Sequence, residues 1–384
     1  MDIYLDRLLN LPNTTVERCK EEENKIVLKL QFLHDKSNCP YCKTASDELK
    51  QNRPILIRDL SVFGKVVYLD TPRRQFYCHQ CQKYFTETLV FVDWQRRYTQ
   101  RYEEYIYKRV QNTSIEEVSR EESLSWDQVQ GIFNYKFSLK KKDNWDVVKR
   151  VSIDEVSQKK GHGDFVTVVS DIDMGELLEV IDSHKQEKII EILKQQSLEI
   201  REKVEEVSVD MWGGFPKVIK EVFPNAKIVI DRFHVMQPVI KELNQLRKST
   251  EIKIKGCRSI LLKNNIDLTE EQKVKLEDIL KYSNRLRLAY RLKEDFRTIF
   301  ETCQTPEAGR EKMQAWLQEA KAVYGAVLET IRKHLDNICN YFLSRTSSGV
   351  MEGINNRIKL IKRQAYGFMN FTNFRSRLLA CLSH

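Results

Sequence analysis

The chain has 384 residues, 41% hydrophobic and 31% charged, a balance that fits folded globular domains and is too much chain for one small core. No run approaches the roughly 18 consecutive apolar residues of a membrane span, and the opening Met1-Asp2-Ile3-Tyr4-Leu5-Asp6-Arg7 carries early acids where a secretory signal would be apolar. With 64 basic and 55 acidic side chains the net charge is +9, and nine cysteines, four of them in two close pairs, point to metal binding plus free thiols and away from a disulfide framework. No membrane partner is expected, and the chain should stay in the compartment where it is made.

Residues 1–95 alternate apolar and polar positions. Ile26-Val27-Leu28-Lys29-Leu30-Gln31-Phe32 and Lys65-Val66-Val67-Tyr68-Leu69 are predicted strands. The same segment holds Cys39-Pro40-Tyr41-Cys42 and Cys78-His79-Gln80-Cys81. Two residues between thiolates let both sulfurs of a pair reach one ion. Two such pairs complete a tetrahedral zinc site with no position left open for catalysis. The 35 residues between the pairs exceed the usual ribbon spacing of roughly 15–20. Intervening strands would still let Cys39, Cys42, Cys78 and Cys81 meet at the base of a sheet. A redox role is the alternative, but it does not explain why there are two pairs. Cys19, Cys257, Cys303, Cys339 and Cys381 are scattered.

Residues 96–145 read as helical and basic, with Arg96, Arg97, Arg101, Lys108, Arg109 and Lys140-Lys141-Lys142. From Thr113 to Phe133 the pattern is two short helices. Ile115 and Val118 face inward on the first, Val129 and Ile132 on the second. Small Ser119 permits close approach, and Ser125 is placed to cap the second helix. Such a helix-turn-helix would turn Trp126, Gln128 and Gln130 toward DNA. An ordinary helical hairpin is the plainer alternative. The basic flanks, with Arg96, Arg97 and Arg101 as backbone contacts, favour DNA.

Residues 146–235 alternate strand-like and helix-like runs, which predicts an α/β layer. Val151-Ser152-Ile153-Asp154 is a strand ending in acid; Val207-Ser208-Val209-Asp210 and Ala226-Lys227-Ile228-Val229-Ile230-Asp231 repeat the pattern. Carboxylates at strand ends converge at one sheet edge, where two divalent ions can be held roughly 3.5–4 Å apart. Hard oxygen ligands suit magnesium or manganese. Residues 236–345 read as an all-helical insertion. Leu276, Ile279, Leu280, Leu292, Phe296, Ile299 and Phe300 recur near helical spacing, Thr269-Glu270-Glu271-Gln272 is a capping box, and Thr305-Pro306 starts a helix.

In residues 346–384 a helix is predicted around Glu352. Glu352, Asn356, Lys359 and Arg363 share one face, and Val350, Ile354, Ile358 and Ile361 the opposite one. From Arg345 to Arg377 there are seven basic residues (Arg345, Arg357, Lys359, Lys362, Arg363, Arg375, Arg377) and one acid, Glu352. That clustering suggests a polyanion, with Lys359, Lys362 and Arg363 as DNA contacts; a solvated helix face is the alternative.

At these residues the chain resembles bacterial insertion-sequence transposases of the ISL-three family. The resemblance covers essentially the whole length. It rests on the Cys-x-x-Cys pairs, the helix-turn-helix, Ile153-Asp154-Glu155, Val209-Asp210-Met211-Trp212, Asp231-Arg232-Phe233-His234-Val235, and Glu352-Gly353-Ile354-Asn355-Asn356 with Ile358-Lys359. It implies an α/β fold class: a ribonuclease-H-like catalytic core with a helical insertion, preceded by a zinc-ribbon-like module and a helix-turn-helix. The implied segments are 1–95, 96–145, 146–235, 236–345 and 346–384, the last carrying the catalytic Glu. By that match Asp154, Asp210 and Glu352 are the acidic triad that holds two magnesium or manganese ions. Glu155 follows Asp154 and points to the other strand face, so it is not expected to be a ligand. Asp231 and His234 fit an Asp-x-x-His element that is either site-proximal or purely structural. Trp212 is either a core residue or a platform for an unpaired base, and Asn356 shares the Glu352 face.

The implied function is two-metal DNA cleavage and strand transfer at terminal inverted repeats into target DNA. Two ends must be cut together, so a homodimer or larger assembly is expected, on the nucleoid in a bacterial cytoplasm. A zinc and helix-turn-helix regulator without catalysis would explain residues 1–145 alone. A two-metal nuclease without strand transfer would share the triad.

Overall fold

The computed structural model describes residues 3–140, 145–157, 165–211, 214–346, 349–365, 367, 368 and 370–383. The chain forms two units, residues 1–141 with 364–366, and 142–363 with 367–384.

In the first unit α1 (Ile3–Leu9) leads into the antiparallel pair β1 (Thr14–Glu21) and β2 (Lys25–Phe32). Then come the short β3 (Ser37–Asn38), β4 (Ala45–Ser46) and β5 (Leu49–Asn52), followed by β6 (Ile55–Val62), β7 (Lys65–Thr71), β8 (Arg74–Cys78) and β9 (Lys83–Thr86). One sheet has the order β1-β2-β7-β6 and another β5-β8-β9. The β6–β7 hairpin therefore leaves the cysteine-bearing ribbon and pairs with β2, β7 running parallel to it. That excursion accounts for the long spacing between the cysteine pairs. Strand alternation turns Leu28, Leu30, Val67 and Leu69 into one small core with Val16 and Ile57.

Helices α2 (Gln100–Asn112), α3 (Ile115–Glu122) and α4 (Trp126–Lys140) complete this unit. Thr99 and Ser114 cap the first two, and Ser125 and Gln128 cap α4 reciprocally. Buried charge fastens these helices to β6. Arg58 Nη2 donates to the Glu122 carbonyl at 2.6 Å, and its guanidinium lies 4.9 Å from the Tyr102 ring centre. Asp59, only 2% exposed, accepts from Thr99 and from the Arg101 guanidinium.

The second unit is built on β10 (Arg150–Ser157), β11 (Phe165–Asp171) and β12 (Glu176–Ile181). Next are α5 (Gln186–Leu193), α6 (Leu198–Glu202), β13 (Glu206–Val209), α7 (Phe215–Val222), β14 (Lys227–Ile230) and α8 (Arg232–Ser249). The sheet order is β12-β11-β10-β13-β14; β10, β11 and β12 are antiparallel neighbours, while β13 and β14 run parallel to β10. The β11–β12 hairpin turns on Gly175 at φ +69°, a left-handed conformation that favours glycine. Helices α5 and α7 bury Ile189, Ile190, Leu193, Val218, Ile219 and Val222 against one sheet face.

The helical region continues with α9 (Cys257–Leu262), α10 (Glu270–Lys281), α11 (Asn284–Thr302), α12 (Pro306–Ala320), α13 (Ala326–Lys333), α14 (Leu335–Cys339) and α15 (Tyr341–Ser344). The Thr269–Gln272 capping box and the Thr305 cap before Pro306 both form. Every residue of the predicted apolar pattern, Leu276 through Phe300, is buried in one core, which reaches the sheet through Val229 and Ile230. Lys293 is fully buried yet satisfied: its Nζ donates to the carbonyls of Leu261 and Lys263 at the end of α9. Helix α16 (Gly349–Gln364) and α17 (Phe371–Leu382) close the unit.

Gly309 on α12 leaves room for the ring of Phe342. A Cβ built there would lie 2.2 Å from the ring of buried Phe342. Alanine would gain about 1 kcal/mol of helix propensity, but overpacking a buried ring costs about 1–3 kcal/mol. Gly309→Ala should therefore lower stability in urea denaturation, and a rise in midpoint would show that Phe342 yields freely.

Candidate functional site

Two clusters of chemistry-bearing side chains stand out, one in each unit. In the first, Cys39 follows β3 and opens the turn that Cys42 closes, while Cys78 ends β8 and Cys81 lies in the turn to β9. All four sulfurs lie within 4.8 Å of one another. The Cys39–Cys81 and Cys42–Cys78 separations are 3.9 and 3.5 Å. Zinc–sulfur bonds of about 2.3 Å imply a tetrahedral edge of about 3.8 Å, so the quartet has the size of a zinc site. Hydrogen bonds from Thr44 pull the Cys42 thiol down to about 6, while its neighbour Cys42 pushes Cys81 up to about 12. Phe76 and Phe85 pack against the quartet and shield it. Four thiolates leave no coordination position open, which makes the site structural.

In the helix-turn-helix, Trp126 (43% exposed) and Gln128 lie on the outer face of α4. Gln130 does not. It is 7% exposed and its amide donates to Asn134, because its position falls on the side of α4 that also carries buried Val129 and Phe133. Two of the predicted backbone cations are also turned inward: Arg101 is held by Asp59 and the Leu9 carbonyl, and Arg96 by buried Glu103. Arg97 is exposed.

The second cluster lines a pocket of about 200 Å³ whose wall includes Asp154, Asp210, His234, Glu352, Asn355, Asn356 and Lys359. Its geometry comes from the sheet register. The β10–β13 ladder ends at Ser152 opposite Ser208, and β13–β14 pairing ends at Val209 opposite Ile230. Counting on two positions sets Asp154 beside Asp210. By alternation the two acids stand on the same face as buried Ser152 and Ser208, small residues that leave room beside them. The expectation that Asp154 ends its strand is corrected. β10 continues to Ser157 because β11 stays paired with it that far, and only the β13 side opens.

Both oxygens of Asp154 are engaged: Oδ1 accepts from the Glu155 N–H at 2.8 Å and Oδ2 from Asn355 Nδ2 at 2.7 Å. Asn355 was missing from the sequence-based site. Its Oδ1 is buried and makes no hydrogen bond. Asp210 lies 3.6 Å from His234 Nδ1. Asp231, 2% exposed, caps the backbone start of α8 behind the pocket and is not part of its wall. Glu155 is also outside the wall, though near enough that Asp154 and Asp210 add to the burial that raises its carboxyl. Trp212 lies outside the described residues.

Helix α16 carries the third acid. Met351, Ile354, Ile358 and Ile361 are buried, so Met351 replaces Val350 at the head of the predicted stripe. Glu352, Asn356, Lys359 and Arg363 are exposed, as their shared face requires. Lys362 is bound inward, its Nζ donating to the Ser157 carbonyl at 2.6 Å, and burial pulls its ammonium down. Among the described residues, no Lys or Arg pairs with Asp154, Asp210 or Glu352, and the three carboxylates do not close up as the four sulfurs do.

The comparisons agree with this division of the chain. A family described as "Transposase" matches residues 151–378, more than half of the chain. The helix-turn-helix domain of transposase family ISL3 matches residues 87–135, and the zinc-finger of transposases IS204, IS1001, IS1096 and IS1165 matches residues 35–81. The transposase for insertion sequence element IS1001 of Bordetella parapertussis is 27% identical over 346 residues, 86% of this chain and 85% of its own length. The transposase for IS1557 of Mycobacterium tuberculosis is 29% identical over 264 residues, 60% of this chain and 59% of its own. A shorter stretch of 117 residues, 30% of this chain, is 34% identical to an ATP-dependent protease of Lactococcus lactis, 36% of its length.

The thiol cluster makes a direct prediction. Purified protein should carry about one zinc per chain, and the Cys39→Ser, Cys42→Ser double variant should carry none. Protons compete with zinc for thiolates, so zinc should be released on acidification. Metal content unchanged by the double substitution would remove the quartet as the site.

Proposed function

Since this chain belongs to the ISL3 family of transposases, we propose that it cuts DNA ends and joins them to target DNA at the pocket of Asp154, Asp210 and Glu352. The observation that carries this reading is the pocket itself: three carboxylates from β10, the end of β13 and α16 share one wall, with no Lys or Arg ion-paired to them among the described residues. The order β12-β11-β10-β13-β14, antiparallel then parallel, supports a ribonuclease-H-like core.

The donor set fits magnesium or manganese, being hard oxygen and open on one side. Two such ions, when bound, would activate the attacking water or 3′-hydroxyl and stabilise the leaving oxygen. The protein's own part is positioning. Asn355 and the Glu155 N–H hold the Asp154 carboxylate in one orientation. The Asn355 carbonyl oxygen, buried and without a hydrogen bond, offers a further hard donor. His234 stands beside Asp210, its Nδ1 3.6 Å from the carboxylate. Lys359, on the Glu352 face, brings a cation to the phosphate flanking the cut. DNA is held by the helix-turn-helix through Trp126 and Gln128, with Arg97, Lys359 and Arg363 as backbone contacts. Two ends cut and joined together call for two active sites, hence a homodimer or larger assembly.

Asp154→Asn, Asp210→Asn and Glu352→Gln should each lower cleavage by about three orders of magnitude, several kcal/mol of barrier, while end binding persists. Full cleavage by Glu352→Gln in magnesium would sink the triad; inactivity of Asp231→Asn with activity of Asp210→Asn would move the second ligand one strand over. Strand transfer from pre-cut ends separates a transposase from a nuclease, and a paired-end complex holding one chain would refute the dimer.

Asn355→Ala should raise the magnesium needed for half-maximal cleavage about tenfold at unchanged DNA affinity. An unchanged magnesium midpoint would make Asn355 a packing residue only.

A further inference from the structure

The first unit holds a second recess, of about 300 Å³, between β6, the end of β9 and the segment leading into α2. Its wall contains Arg73, Thr86, Thr88, Trp94 and Arg97. Trp94 is 59% exposed. It stands on a tight turn, Asp93 to Arg96, closed by the Arg96 N–H to the Asp93 carbonyl at 3.0 Å. The next residue, Gln95, takes a left-handed φ of +61°, where glycine would be relaxed. Such a conformation costs on the order of 1 kcal/mol and persists only where the surroundings enforce it. They do: the segment is tied to β6 by Arg58 N–H to the Arg97 carbonyl and Thr99 N–H to the Arg58 carbonyl. A large aromatic thus stands out in water on a fixed backbone turn.

Cations outnumber free acids in this wall. Glu87 is neutralised by the buried Arg74 guanidinium, while Asp93 accepts from the Gln100 amide and keeps its charge. Arg73 and Arg97 are exposed, and among the described residues neither lies within ion-pair distance of an acid. An exposed indole face with two guanidiniums outside any ion pair matches a ligand that is flat, aromatic and anionic. A nucleotide has that chemistry, and DNA is already the partner of this unit through its helix-turn-helix. The recess is far too small for a duplex, whose major groove alone is about 12 Å wide.

We propose that this recess takes one unpaired nucleotide of the DNA end, its base stacked on Trp94 and its flanking phosphates on Arg73 and Arg97. Base–aromatic stacking is tolerant of sequence and contributes about 1–3 kcal/mol per base. The inference rests on the helix-turn-helix binding duplex DNA, and the test separates the two.

The probes are a blunt fluorescein-labelled duplex, the same duplex with a short single-stranded oligothymidine tail, and that tail carrying one fluorescent purine analogue. Affinity is read by anisotropy with the full-length, zinc-loaded protein. Wild type should prefer the tailed duplex by about 5–150-fold, the range set by one stacked base, and should quench the analogue. Trp94→Ala should lose preference and quenching but bind blunt duplex as before; Trp94→Phe should keep most of both. Arg73→Gln should flatten the salt dependence for the tailed probe by about 0.7 in log–log slope and leave that for the blunt duplex unchanged. No tail preference in wild type overturns the proposal. So does equal loss on both probes in Trp94→Ala at unchanged circular dichroism, and so does full retention of preference in that variant. Absence of blunt-duplex binding in wild type refutes the helix-turn-helix reading instead, and the quenching arm still decides the recess.

Discussion

The acidic pocket depends on one hydrogen bond between residues 201 positions apart, Asn355 Nδ2 to Asp154 Oδ2. β10 fixes one partner and α16 the other, with the whole helical region between them. Chain length is a small obstacle, because loop-closure entropy rises only by about 0.6 kcal/mol per doubling. What matters is that the intervening chain folds into a body with its own core and returns to a defined point. It does so through polar ties to the sheet. Asn340 donates to the Ile228 carbonyl at the start of β14, and Ser344 and Thr346 both donate to buried Glu206 at the start of β13. Each such bond contributes about 1 kcal/mol net, and together they set where α16 begins.

The basic residues around α16 serve the same end. Arg345 caps the end of α11 through the carbonyls of Phe300 and Cys303; Arg357 reaches the Cys381 carbonyl; Arg375 forms a bidentate pair with Glu179 of β12. Lys362 holds Ser157, and Arg377 is 3% exposed. A run that reads as seven cations for a polyanion is therefore mostly a set of clamps that seat α16 and α17 on the sheet. Lys359 and Arg363 remain outward on the Glu352 face.

That difference marks what the sequence can carry. Periodic features were legible: the strands around Leu28 and Val67, the buried helical stripe from Leu276 to Phe300, and the caps at Thr269, Thr305 and Ser125. So were the two cysteine pairs, because ligand spacing is local chemistry. Partnership between distant polar groups was not. Arg101 and Arg96 look like surface cations until Asp59 and Glu103 are found beside them. Gln130 looks outward until the packing of α4 is fixed. Asn355 is one position from Asn356 and equally polar, and only the seating of α16 on the sheet shows which of the two meets Asp154. The β6–β7 excursion was hidden for the same reason, since alternation predicts strands and not the sheet they join.

The two metal-type clusters also differ in how they are made ready. The sulfurs already stand near tetrahedral spacing because two tight turns, each carrying its pair, are backed by Phe76 and Phe85. The carboxylates are prepared differently. Asp154 and Asp210 follow from one parallel register, so any force that preserves the ladder preserves their relation. Glu352 comes from a helix seated by long-range polar ties and is more exposed. The pocket therefore joins a rigid pair to a separately placed third acid. Changes inside the helical core reach the pocket through α16, which carries both Glu352 and the Asn355 that holds Asp154, while the backbone spacing of Asp154 and Asp210 answers to the sheet.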